Sequence, residues 1–341
     1  MAAPPTLTTR GVTIAALLIT LGQPAWWLLA LAGFLARGGI IVFLLAIVSV
    51  PSPLVLSNIL GPLVTPLAFG TVLPGTVLLI VVAIGLGLCW LIGGGWFGAA
   101  TEVALMRAAA VAAVDEGLPG TRGPTVGRRV VGRVALAHLV AHVPTALVAG
   151  VASIAIVQVT YVELTNPSDA GPIALRVVAA AARPIGAIVF VWALGEIIGG
   201  LAAREIALGD RSLAAGLGRA LGAVARRPIG ALVMPSLTLI VLAVDLAALL
   251  AIVAVVLAEV RDRLARTVED PFATGLTVAT LAAAWSLALI VTGLITAWRG
   301  VALTFETQRL ASAAPVLDVT NGASAHRRPG DRSPEDVDGN L

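Results

Sequence analysis

Four ionisable side chains stand inside stretches that are otherwise apolar: Arg37, Arg183, Glu196 and Asp245. A charge at the centre of a bilayer costs about 2.5–3.5 kcal/mol on insertion scales, so such groups turn toward one another or toward a water-filled path. Their charges cancel, which suits pairing inside a bundle. The expected partner of Arg37 is Glu196 or Asp245. Arg183 lies near the outer end of its segment and can snorkel to the surface. Two chemistries are open to such a set: structural ion pairing between helices, or a polar path for a proton, an ion or a headgroup.

His138 and His142 are one helical turn apart, which puts both imidazoles on one helix face. A zinc centre needs a third ligand and a position for water. The stretch His138-Leu139-Val140-Ala141-His142 lacks the glutamate of a zincin motif, so neither a metal nor another cofactor is expected. Gly93-Gly94-Gly95 and Gly199-Gly200 fall in or near apolar runs. There they suit close helix packing, and their setting is not the strand-to-helix turn of a phosphate loop. Cys89 sits in an apolar run and reads as a buried structural thiol. With no Ser/His/Asp pattern, Walker motif or catalytic carboxylate pair, the chain is not expected to be an enzyme.

The composition names the scaffold that must hold these residues. Of 341 residues, 58% are apolar and 12% charged, whereas soluble domains run near 25% charged. That excludes an ordinary cytosolic enzyme, a disordered chain and a disulfide-bonded secreted scaffold. The 22 basic residues are all arginine, set against 19 acidic ones. They are dispersed, so nucleic acid is not an expected partner.

Spanning a hydrocarbon core takes about 20 apolar residues as helix. Six segments qualify, at about Pro24 to Val50, Thr76 to Phe97, Pro144 to Val162, Val177 to Ala203, Pro228 to Leu257 and Ala273 to Trp298. Pro51-Ser52-Pro53 stops the first. A seven-span alternative splits it at Arg37-Gly38-Gly39. The alternation of a barrel strand is missing, so the expected fold is an all-α polytopic transmembrane bundle. Trp26, Trp27 and Trp298 read as interface anchors. No clear cleavage site follows the first apolar stretch, so the N-terminus reads as retained.

Arginine placement sets the expected orientation. Arg107, Arg122, Arg128, Arg129 and Arg133 lie between the second and third spans, and Arg204, Arg211, Arg219, Arg226 and Arg227 between the fourth and fifth. Of the alternate connections, the stretch from Leu54 to Gly75 carries no charge and that from Tyr161 to Pro172 only Glu163 and Asp169, while Arg261, Arg263 and Arg266 break the pattern somewhat among Glu259, Asp262, Glu269 and Asp270. The positive-inside rule then puts both termini in the cytoplasm of a multi-pass cell-membrane protein. Residues 1–310 form the bundle. From about residue 311 the chain is polar, mixed in charge and free of aromatics, which reads as a disordered cytoplasmic tail (311–341).

The chain echoes itself. Ala99-Ala100-Thr101-Glu102-Val103-Ala104-Leu105 parallels Ala202-Ala203-Arg204-Glu205-Ile206-Ala207-Leu208, and Arg183-Pro184-Ile185-Gly186-Ala187 parallels Arg227-Pro228-Ile229-Gly230-Ala231. A short amphipathic stretch precedes a proline at Gln23-Pro24, Val143-Pro144 and Arg227-Pro228, and proline at a first helical turn costs no hydrogen bond. The expectation is three pseudo-repeated hairpins, each entered through an interfacial helix. Leu213, Leu217, Leu221 and Val224 make one apolar stripe, and Ile14, Leu17, Leu18 and Leu21 another. Asp210 or Ser212 can cap the first of these. Such helices lie in the headgroup plane, where the basic one can contact anionic lipid. Beyond the bilayer, the sequence names no protein partner.

The exit from Glu196 to Ala203-Arg204-Glu205-Ile206-Ala207-Leu208-Gly209-Asp210, the basic amphipathic stretch after it, and Arg227-Pro228 carry a resemblance. Over residues 160–310 the chain is similar to the membrane domain attached to some glycerophosphodiester phosphodiesterases, and its layout resembles a class of bacterial six-helix integral membrane proteins. The resemblance implies an inner-membrane location and a helical fold. It implies no activity, since the catalytic domain has no counterpart here. The function expected first is a non-enzymatic membrane scaffold or accessory protein. The alternative is a small transporter or permease component using Arg37, Glu196 and Asp245. A cavity reaching Glu196 favours transport; a sealed ion pair favours a scaffold.

Overall fold

In a bilayer every backbone N–H and C=O must be bonded within its own segment, so long apolar runs become helices. The computed structural model describes residues 8–48, 58, 61–62, 65–66, 69–70, 74–115, 127–166, 168, 173–265 and 271–313. Among them all regular structure is helical: α1 (Thr9–Leu21), α2 (Pro24–Phe34), α3 (Ile40–Val48), α4 (Pro74–Asp115), α5 (Arg128–Thr165), α6 (Ile173–Ala180), α7 (Ala182–Gly209), α8 (Leu213–Arg226), α9 (Pro228–Ala265) and α10 (Pro271–Ala313). Among the described residues, six stretches are long and apolar enough to cross a membrane: Pro24–Leu44, Pro74–Asp115, Arg128–Thr165, Ala182–Gly209, Pro228–Ile252 and Gly275–Leu310. The fold is an all-α bundle. The stop at Pro51-Ser52-Pro53 and the tail from residue 314 lie outside the described residues.

The first span is kinked, two helical pieces meeting at a glycine that leaves the helical conformation. Leu35–Gly39 forms a wider π turn between α2 and α3, with Gly38 at φ 109°. A side chain there would be strained. The kink falls where the seven-span alternative divides the segment, at Arg37-Gly38-Gly39, but α2 has 11 residues and the described part of α3 has 9, each short of the ~20 that a crossing needs.

Pro144 behaves differently from Pro24 and Pro228. It opens no helix but lies inside the 38-residue α5. The segment before it is not interfacial, because Val130, Val131, Val134 and Ala137 are buried against α4 and α7. That packing holds the helix together across a proline that removes one backbone bond. A separate helix before a span-opening proline is seen at α1 before Pro24 and α8 before Pro228. Ser212 caps α8, its Oγ accepting from the Ala215 N–H at 3.3 Å. Asp210 instead sits at the end of α7 with φ 43°.

The helices are bound tightly at one end. α4 has 42 residues, about 63 Å of helix at 1.5 Å per residue, yet its buried residues all lie between Gly98 and Ala113. There it joins two apolar clusters. Leu105, Ala109 and Ala113 pack with α1 and α10, while Ala99, Val103 and Met106 pack with α5, α7 and α8. The Pro74–Phe97 half is largely uncovered, which leaves Cys89 exposed rather than buried. Two tryptophans tie α1 down: the Trp27 indole donates to the Thr20 carbonyl at 2.7 Å and Trp298 to that of Thr13 at 3.2 Å. Trp298 is buried in this contact, so it is a packing residue and not an interface anchor. At the far end of α5, buried Glu163 and Arg176 pair at 3.1 Å.

Candidate functional site

The tight end of the bundle holds a connected set of charges from five of the spans. Arg37 stands on the π turn. Its side chain lies against Gly98, where a Cβ would overlap it, and donates to the Gly98 carbonyl at 2.8 Å and to the Glu102 carboxylate. Glu102, one turn further along α4, is shared. His138 Nε2 lies 2.8 Å from Glu102 Oε2, and Arg204 Nη1 3.5 Å from Oε1. A second centre forms at Glu196. Its Oε2 accepts from Arg299 Nη2 at 3.1 Å, and its Oε1 lies 3.4 Å from His142 Nε2. His142 Nδ1 is 2.8 Å from the His138 carbonyl. A carbonyl only accepts, so this nitrogen carries a proton and leaves Nε2 toward Glu196.

Three guanidiniums face two carboxylates here, so the arginines outnumber the acidic groups by one. The Nε atoms of Arg204 and Arg299 are buried with no hydrogen-bond partner among the described residues. Each such donor costs about 1–3 kcal/mol if left unmade. The arrangement can therefore take an anion.

These charges line a partly open cavity of about 650 Å³. Along α7 its wall is a line of residues four apart: Ile188, Trp192, Glu196, Gly200 and Arg204. The apolar members come first and the charged ones last, so the lining changes character along the helix. Ile41 and Val42 of α3 and Leu242 and Leu246 of α9 continue the apolar wall. The cavity is thus amphipathic, with guanidiniums at one end and hydrocarbon at the other.

Arg37 and Glu196 both line this cavity but are not paired with each other. The expected bond from Arg37 to Glu196 or Asp245 is corrected to one with Glu102, because the missing side chain at Gly98 draws Arg37 onto α4. Asp245 stands outside the cluster and accepts from Thr292 Oγ1 at 3.2 Å. Arg183 is exposed near the start of α7 and takes no part. Glu102, Arg204 and Arg299 are functional candidates that reading the apolar runs alone does not reach. The repeat holds the signal. Arg299-Gly300-Val301-Ala302-Leu303 is a third copy of the Thr101 and Arg204 segments, and it aligns Thr101, Arg204 and Arg299, which all line the cavity.

No family model, no curated protein and no solved structure matches the chain.

Proposed function

We propose that the protein is a multi-pass cell-membrane carrier, or the membrane component of a permease, for an anionic amphiphile with a phosphate or carboxylate head. The observation that carries this reading is the cavity. It reaches Glu196, has guanidiniums in excess at one end and is apolar at the other. A scaffold would be served by a sealed ion pair, and the cavity weighs against that first expectation. Its volume of about 650 Å³ falls in the range of small-molecule sites, about 300–1,000 Å³. The head would sit against Arg204 and Arg299, whose Nε–H groups await acceptors, and the tail against Trp192, Leu242 and Leu246.

Arginine-rich connections after the second and fourth spans support a cytoplasmic location for both termini. The charged end of the cavity then faces the cytoplasmic leaflet. α1 turns Ile14, Leu17, Leu18 and Leu21 outward and α8 exposes Arg219 and Arg226, which suits contact with the acyl boundary and with anionic headgroups. Repeated hairpins about a central site are a common plan of carriers. The resemblance of residues 160–310 to the phosphodiesterase membrane domain is compatible with this reading and adds no activity to it.

The test is movement of a fluorescent phosphate-headed lipid between leaflets of proteoliposomes, followed by bleaching of the outer leaflet. The wild type should speed exchange over empty vesicles and the Arg204→Gln/Arg299→Gln variant should not. Equal rates in all three would overturn the proposal.

A further inference from the structure

We propose that His138, His142 and Glu196 form a site for a divalent transition metal, zinc by preference, at the charged end of the cavity. One donor atom from each of the three lies within 4.8 Å of the others. Two imidazoles and a carboxylate are the ligand set of open zinc sites, whose fourth position holds water or a bound molecule. Metal–ligand bonds of about 2.0–2.1 Å in a tetrahedron put neighbouring donors roughly 3.4 Å apart. His142 Nε2 already stands 3.4 Å from Glu196 Oε1.

The surroundings prepare each ligand. The bond from His142 Nδ1 to the His138 carbonyl, 2.8 Å, leaves Nε2 as the ligating nitrogen. His138 Nε2 is engaged by Glu102 at 2.8 Å, and its Nδ1 is buried with no hydrogen-bond partner among the described residues. A carboxylate behind a histidine is the usual device that fixes the tautomer of a metal ligand. The second oxygen of Glu196 is held by Arg299 at 3.1 Å. Opposite the imidazoles α7 presents glycine. A Cβ at Gly199 would lie 2.7 Å from His138 Nδ1, and one at Gly195 3.3 Å from His142 Nε2. α7 thus supplies a ligand at Glu196 and clears room on either side of it.

A dication adds to the positive excess already present. The open fourth position would therefore be completed by an anion drawn to the same guanidiniums. The site itself does not rest on the carrier reading, and metal alone tests it.

The experiment uses the full-length protein in detergent micelles, stripped with chelator and titrated with zinc chloride and then cobalt chloride. The expected result is one bound equivalent with the visible spectrum of tetrahedral cobalt. That equivalent should be lost in His142→Ala and Glu196→Gln. It should be weakened about 10–100-fold in Glu102→Gln, which removes only the positioning carboxylate. Absence of stoichiometric binding, or binding unchanged in both His138→Ala and His142→Ala, overturns the site. Should the variants fail to fold, X-ray absorption of the zinc-loaded wild type decides. Two imidazoles in the first shell sustain the proposal, and a shell without them overturns it.

Discussion

Arg37 on the first span and Glu102 on the second, 65 positions apart in sequence, meet side chain to side chain across a seam where α4 offers glycine. Breaking a buried pair by removing one partner costs about 3–5 kcal/mol, because the other charge is left uncompensated. Arg37→Ala should therefore lower the thermal unfolding midpoint in detergent. Adding Glu102→Gln should recover part of the loss, and adding Glu196→Gln should recover none. Rescue by Glu196→Gln instead would show that the pairing is wrong.

The seam itself is testable. A Cβ at Gly33 would meet the Thr101 hydroxyl, one at Gly94 the Ala36 carbonyl and one at Gly98 the Arg37 side chain. Overpacking of this kind costs roughly 1–3 kcal/mol, so Gly98→Ala should destabilise. Gly85 and Gly87 have open space around them. Their alanine variants should be neutral or slightly stabilising, within about 1 kcal/mol. Equal effects at Gly98 and Gly87 would count against the close approach.

At the opposite end, buried Glu163 holds Arg176 at 3.1 Å and also accepts from the Ser168 N–H at 3.2 Å. Arg176→Gln should lower the unfolding midpoint by an amount comparable to the loss of Arg37. Zinc uptake should be unchanged, because no part of this clip lines the cavity. A fall in metal affinity would mean that the two ends are coupled.

Orientation can be read by thiol labelling in intact cells. Native Cys89 is exposed, so the background is Cys89→Ser. Cysteine at Ser212 should react only after permeabilisation and cysteine at Thr165 without it; both positions are exposed. The reverse pattern would place the termini outside.

The six spans and the all-α class were legible because hydrophobic length is a strong signal. The charge cluster was only half legible, for a physical reason. α4, α5 and α10 run 42, 38 and 43 residues, well beyond the ~20 that a bilayer core requires. Glu102, His138 and Arg299 lie on these extensions, outside the apolar runs, so the runs alone point to Arg37 and Glu196 but not to their partners. Asp245 and Arg183 were found for the same reason and proved peripheral. Pro144 misled as well, since tertiary packing of Val130, Val134 and Ala137 outweighed its tendency to start a helix. No third ligand for the histidines could be read from α5, because Glu196 comes from α7.

The central claim is that the guanidinium end of the cavity holds an anionic head. Native mass spectrometry of the purified protein, offered equal amounts of phosphatidic acid and phosphatidylcholine, tests it most directly. The account predicts retention of one phosphatidic acid by the wild type and its loss in a folded Arg204→Gln/Arg299→Gln variant. Equal retention of the two lipids, or undiminished retention by that variant, would contradict it.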